Sequence, residues 1–262
     1  MAIYGVLGDI HGNREALEAA LAALDDLGVQ RLLCVGDLIG YNADSDGCVS
    51  LLRARGAQCI SGNHDLIGTG LLGFERCSNK ALHSLKRTRR TIGAEAAAYL
   101  RALPSHRVLE DKFLLTHGGV RDVQQYMTRP RHFLQNAELL RRDFPGIRIC
   151  LFGHTHEQRV FEIDGERACE LDASTASLRR DREYFVNPGS VDASRKKTDK
   201  LAEFAVFDSD ALRVQFHRVA YDAAATEEKA EAGGYRIDRW RDRLYDVQRR
   251  LVGPRHVDGG AP

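Results

Sequence analysis

Gly8-Asp9-Ile10-His11-Gly12-Asn13 decides how the rest of the chain is read. An apolar run at residues 3–7 precedes it and reads as a short buried strand. Residues 14–27 follow, with Ala16, Leu17, Ala20, Leu21 and Leu24 at helical spacing. An Asp and a His two residues apart thus sit in a glycine-flanked turn at the carboxyl end of a strand. On extended backbone such residues point to one side, so a carboxylate and an imidazole can reach a single cation. Taken alone, the pair reads at least as well as an Asp capping the next helix and a His facing solvent. The remaining sequence has to decide.

The same arrangement recurs. Residues 31–35 form a second apolar run that ends at Gly36-Asp37-Leu38-Ile39-Gly40. A third, 58–61, ends at Gly62-Asn63-His64-Asp65. Residues 113–116 lead into His117-Gly118-Gly119, and 147–152 into Gly153-His154-Thr155-His156. Helical patterns lie between them: a short one through Leu51, Leu52 and Arg55, one or two over 78–103 with a break near Gly93, and one over 133–143. Consecutive strands follow. Residues 158–163 and 166–171 flank the hairpin signal Asp164-Gly165, and further runs cover 184–187, 203–207 and 212–219. Helices are expected over 223–231 and 237–251. A β-α-β half followed by a meander predicts an α/β (α+β) fold, two sheets face to face with helices outside. Residues 1–252 are expected to form a single domain. Residues 253–262, rich in Gly and Pro, are expected to fray.

Composition narrows the function. The 262 residues carry 38 Lys plus Arg and 37 Asp plus Glu, so no global charge argues for nucleic acid or an anionic membrane. No stretch approaches the roughly 18–20 apolar residues of a membrane span. Residues 1–7 lack a basic segment and a long apolar core, so no signal peptide is expected and a cytoplasmic location is. The six cysteines show no C-x-x-C or paired spacing; Cys34 and Cys150 fall in strand-like runs and read as reduced, buried thiols.

Five strand-end turns together collect Asp9, His11, Asp37, Asn63, His117, His154 and His156. Ligands gather beyond the carboxyl ends of strands in sheets of this kind. Any one of these residues has a bland reading, as a cap, a turn or a satisfied core histidine. Five such turns, each after an apolar strand, read as a metal site. Imidazole, carboxylate and amide oxygen all ligate hard or borderline cations, so Mn, Fe, Co, Ni and Zn are all accommodated.

The set GDIHGN, GDLIG, GNHD, HGG and GHTH, in this order, resembles the motifs of the calcineurin-like metallophosphoesterases. With the later VNPGSV it is most similar to the small bacterial and archaeal phosphodiesterase-like branch. The resemblance covers about residues 3–221. It implies a four-layer α-β-β-α sandwich of two mixed sheets with helices on both outer faces, and two divalent metal ions. Asp9, His11 and His156 would hold one, Asn63, His117 and His154 the other, with Asp37 between them. It further implies in-line attack of a metal-bound hydroxide at phosphorus, with His64 protonating the leaving group or stabilising the transition-state charge. Asp65 would either orient His64 or cap a helix. Asn13, Tyr41 and Arg195 are candidate substrate contacts. The Asn187-Pro188-Gly189-Ser190 turn is expected to position the loop of His154 and His156, with Ser190 as an alternative substrate contact.

Two departures bear on the substrate. The protein-phosphatase branch places an Arg in the second motif to clamp a dianionic monoester, and residues 36–41 contain none. A phosphodiesterase acting on a small or nucleotide-like ester is therefore expected, with a phosphomonoesterase or dinucleoside-polyphosphate hydrolase as the alternative and a non-catalytic scaffold as a third reading. The usual Gly-x-Pro-Arg after Gly-Ser-Val is replaced by Asp192-Ala193-Ser194-Arg195-Lys196-Lys197. With Arg179, Arg180 and Arg182, this basic stretch reads as solvated loops in preference to a nucleic-acid surface. The expected partner is a small anionic phosphoester; the sequence leaves the oligomeric state open.

Overall fold

The computed structural model describes residues 3–171, 174–193 and 198–252. The expected fraying of 253–262 and the candidate contact Arg195 lie outside the described residues. The first half runs β1 (Ile3–Leu7), α1 (Arg14–Asp26), β2 (Arg31–Cys34), α2 (Ser45–Ala54), β3 (Gln58–Cys59), α3 (Asn63–Thr69), α4 (Asn79–Thr91) and α5 (Ala94–Ala102). It continues through β4 (Arg107–Leu109), β5 (Phe113–Leu115), α6 (Pro130–Asp143) and β6 (Ile149–Leu151). The meander contains β7 (Gln158–Asp164), β8 (Arg167–Leu171), β9 (Thr175–Ser177), β10 (Glu183–Pro188), β11 (Leu201–Asp208) and β12 (Arg213–Ala220). Helices α7 (Ala223–Ala232) and α8 (Arg239–Val252) follow.

The strands form two six-stranded mixed sheets, ordered β3-β2-β1-β11-β12-β9 and β4-β5-β6-β10-β7-β8. Each has a parallel core, β1-β2-β3 in one and β5-β6-β10 in the other. Alternating residues divide between layers. Leu33 and Val35 point between the sheets with Tyr4, Val6, Phe113, Leu115 and Tyr184. Leu32 and Cys34 point outward to Leu17, Leu21 and Leu100 of α1 and α5. Leu114 and Cys150 of the second sheet meet Phe133, Ala137 and Leu140 of α6. Burial on both faces is why these strands read as continuous apolar runs. The four layers are helix, sheet, sheet, helix. Among the described residues, no helix is long and apolar enough to cross a membrane.

Several local expectations change. The third strand keeps only Gln58–Cys59, because Ser61 N–H leaves the ladder for Pro104 O at 2.9 Å. Edge strands β4 and β9 were not anticipated; at three residues each, half exposed, neither carries a periodic signal. In sequence Trp240, Leu244, Val247 and Leu251 lie along one side of α8, a face that reads as packing on the fold or, alternatively, serving a dimer. Trp240, Leu244 and Val247 do not pack on the fold but face solvent, Trp240 at 72% exposure. Asp242 and Asp246 make the contact, accepting from Asn79 Nδ2 on α4 at 2.9 and 2.7 Å.

Candidate metal centre

The parallel strands of both sheets deliver their carboxyl ends to one edge, and each turn there bends sharply. Asp9, His11, Asp37, Tyr41, His154 and His156 all hold left-handed backbone, φ between 51° and 68°. Each such residue costs about 1–3 kcal/mol unless its surroundings over-determine it. Here they do. Asp9 N–H donates to Gly36 O, Ile10 and His11 N–H to Asp37 O, and Gly12 N–H to Leu38 O, stitching the first turn to the second. Ser190 Oγ donates to Asp9 O at 2.9 Å, and Asn187 Nδ2 donates to Gly153 O at 2.8 Å. The NPGS turn therefore braces both the first turn and the His154–His156 loop. Ser190 is fully buried.

Third-turn residues are held differently. Asn63 opens α3, and Asp65, two positions on, is completely buried. Its carboxylate accepts from the backbone N–H groups of Gly62, Asp37, Leu38 and Ile39 at 2.9–3.2 Å. This is the capping alternative, extended to the neighbouring turn. Burial and the adjacent Asp37 carboxylate push Asp65 up to about 7. Asp37 moves the other way. Burial opposes its ionisation, yet His117, His64 and His11 together hold it well below the usual carboxylate range.

The ligand atoms converge in two overlapping sets. In one, His11 Nε2 lies 3.1 Å from His156 Nε2, 3.9 Å from Asp9 Oδ1 and 3.8 Å from Asp37 Oδ2, and His156 Nε2 lies 3.3 Å from Asp9 Oδ1. In the other, His117 Nε2 lies 3.2 Å from Asp37 Oδ2 and 3.1 Å from Asn63 Oδ1, with His154 in the same cluster. Donors about 2.1 Å from one cation stand roughly 3.0–3.4 Å apart; the His11–His156, His156–Asp9, His117–Asp37 and His117–Asn63 spacings fall in that range, and those of His11 to Asp9 and Asp37 are about half an ångström wider. The outward nitrogens fit as well. His117 Nδ1 donates to Val35 O at 2.7 Å, and His11 Nδ1 faces Ile39 O at 3.3 Å, which turns each Nε2 toward the cluster. His154 Nε2 is buried with no hydrogen-bond partner, and one ring nitrogen of His154 lies within 4.8 Å of the donor atoms of Asp37 and His117. Burial, then the neighbouring His117, pushes His154 down to about 3, so it is a neutral imidazole ready to ligate.

His64 is buried beside both sets. Its N–H donates to Asp37 Oδ1 at 2.7 Å, and its ring meets those of His11 and Tyr41 at 4.5 and 4.7 Å. It also lies within ligand range of His11 and Asp37. Gly40 makes room for it: a Cβ there would stand 2.4 Å from His64 Nδ1. Of the candidate substrate contacts, Tyr41 packs on His11 and His64 at the edge of the cluster. Asn13 is wholly buried, its amide capping α1 through Ala16 N–H and bonding Asp192 and Thr226. Arg179 and Arg182 pair with Asp181 and Asp164.

Sequence reasoning missed two neighbours of the site. Tyr126 lays its exposed ring over His154, centroids 3.9 Å apart. Arg236 donates to Tyr41 O at 2.8 Å and Asn42 Oδ1 at 2.9 Å while pairing with Glu227. Neither belongs to a strand-end turn, and no local signal marks either one.

Residues 1–211 match the calcineurin-like phosphoesterase superfamily domain. The chain belongs to that superfamily. A metallophosphoesterase from Sphaerobacter thermophilus has a solved structure similar to this calcineurin-like chain, with 28% identity and a TM-score of 0.72. The likeness covers 92% of this chain and 97% of that one. A hypothetical protein from Pyrococcus horikoshii shares the fold at TM-score 0.70 and 19% identity, over 93% and 97% of the two chains. An uncharacterized protein of Methanocaldococcus jannaschii is 27% identical over 239 residues, 87% of this chain and 91% of its own length. Family and donor sets agree on metal-dependent phosphoester hydrolysis.

Proposed function

We propose that this calcineurin-like phosphoesterase is a phosphodiesterase working with two divalent cations that share Asp37. The observation that carries the reading is the position of Asp37 Oδ2, 3.2 Å from His117 Nε2 and 3.8 Å from His11 Nε2, facing both donor sets at once. Two dications about 3.5–4 Å apart repel strongly, and a shared carboxylate relieves that repulsion. Such ions supply Lewis acidity at a phosphoryl oxygen and a water of lowered pKa.

The chain's own residues do the rest. Asp9 and Asp37 are the only carboxylates of the two donor sets, so the occupied site stays net positive and draws an anionic ester. His64, against His11 and Tyr41, protonates the departing oxygen. Diester preference is supported by the guanidinium inventory. Residues 36–41 hold no Arg, and Arg236 spends its donors on Glu227, Tyr41 O and Asn42. A dianionic monoester therefore lacks a bidentate clamp that a monoanionic diester needs less.

The test reconstitutes the protein with Mn²⁺, counts metal per chain, and compares bis(p-nitrophenyl) phosphate with p-nitrophenyl phosphate. Two ions per chain and faster diester turnover are expected. Turnover of the monoester alone would reverse the substrate assignment. One ion per chain would remove the shared role of Asp37.

A further inference from the structure

Beside the metal cluster lies a pocket of about 550 Å³, within the usual range for small-ligand sites. Tyr41 belongs to both: its ring touches His11 and His64, and it also lines the pocket. Seven of the thirteen lining residues come from positions after 220, outside the region that matches the superfamily domain. This C-terminal appendage is bolted to the site's edge. Thr226 Oγ1 donates to Asn13 Oδ1 at 3.0 Å, Lys229 Nζ pairs with Glu15 and Asp44, and Arg236 holds Tyr41 O and Asn42.

The pocket's chemistry is specific. Tyr221 and Tyr235 add ring surface to that of Tyr41. Arg236 is neutralised by Glu227, but Lys80 and Lys200 line the opening, exposed and without an ion pair among the described residues. Four separate segments thus bring aromatic walls and two exposed ammonium groups to one cavity, next to the side chain that lies against the leaving-group histidine; of its two carboxylates, Asp192 accepts from Asn13 and Asn42, and Glu227 is held by Arg236 and also feels the charge of Lys200.

We propose that this pocket is a subsite for the ester's second substituent, a nucleoside carrying a further phosphate of its own. The inference rests on the phosphodiesterase reading above and names the substrate class for it. The base stacks on the tyrosine rings, and the extra phosphate lies between Lys80 and Lys200.

The experiment compares two dinucleotides, thymidylyl-thymidine with and without a terminal phosphate, on the Mn²⁺-loaded protein. Wild type is expected to prefer the phosphorylated one at least tenfold in kcat/KM, through KM, with the preference shrinking as salt is raised. In the K80A/K200A variant the preference collapses toward one. A second readout uses metal-free protein and thymidine 3′,5′-bisphosphate in calorimetry, where the double variant binds at least tenfold more weakly. Equal treatment of the two dinucleotides by wild type, or a preference that survives in K80A/K200A, overturns the subsite. Failure to hydrolyse any diester, bis(p-nitrophenyl) phosphate included, overturns the phosphodiesterase reading instead. The calorimetry then decides the subsite by itself: unchanged binding in the variant ends it.

Discussion

Asp37 carries a charge with almost no exposed surface, and three imidazoles facing it make that tolerable. Its geometry depends on a residue with no side chain. A Cβ on Gly62 would stand 2.1 Å from Asp37 Oδ1, so Gly62→Ala must push the Asp37 carboxylate aside. We expect G62A to retain at least tenfold less metal after dialysis; full metal content would show that the turn has slack. His64 makes the opposite prediction. Replacing it with Ala should lower turnover by about 10²–10⁴-fold, the scale of general acid catalysis, with metal content unchanged. Loss of metal in H64A would recast His64 as a ligand, the role its distance to His11 and Asp37 also permits. The seven residues expected as ligands, which the fold gathers into one cluster, stand out in the sequence because each follows an apolar run and carries its chemistry in its own name. Arg236 does not, since its relation to Tyr41, 195 positions away in the sequence, exists only once the chain between them has folded.

At the scale of elements, α3 shows a helix start used as a clamp. Asp65 receives four backbone N–H groups from two turns. An amide in its place keeps one acceptor and turns an NH₂ toward donors. Asp65→Asn should therefore lose about 2–4 kcal/mol of stability, read by urea unfolding of metal-free protein, whereas H64A should not. Equal stability of D65N would mean the turns hold without it. The sequence left capping and histidine orientation both open for this residue, because GNHD looks the same whichever way the carboxylate points. The α7–α8 connection offers a pH test. Arg236, the largest influence, holds Glu227 below its usual carboxylate range. A depressed folded-state pKa stabilises above the ordinary glutamate range and is lost as pH falls through the folded value. The melting-temperature gap between wild type and E227Q should be present at neutral pH and close in acid. A gap of constant size would show that the pair contributes no charge-dependent stability.

The molecule as a whole hides five of its six thiols. Cys34, Cys48, Cys59, Cys77 and Cys150 are buried, and burial pushes Cys150 up to about 12; Cys169 alone is exposed. One equivalent of a thiol reagent should react with native protein, and C169S should abolish that reaction. Two fast equivalents would mean that part of the core opens. The sandwich was readable from its alternation of buried runs and helices, but the sheet order was not. Pairing of β1 with β11, or of β10 with β6, joins strands whose own residues carry no mark of their neighbour.

The place of β1 has a consequence for synthesis. It is an inner strand, parallel to β2 on one side and antiparallel to β11 on the other. Its first partner leaves the ribosome soon after it, but the second follows some 190 residues later, roughly 10–40 s at ordinary elongation rates. Through that interval one edge of β1 is bare, an invitation to pair with the wrong chain. The segment that begins the metal centre is thus the one a nascent polypeptide must shelter longest.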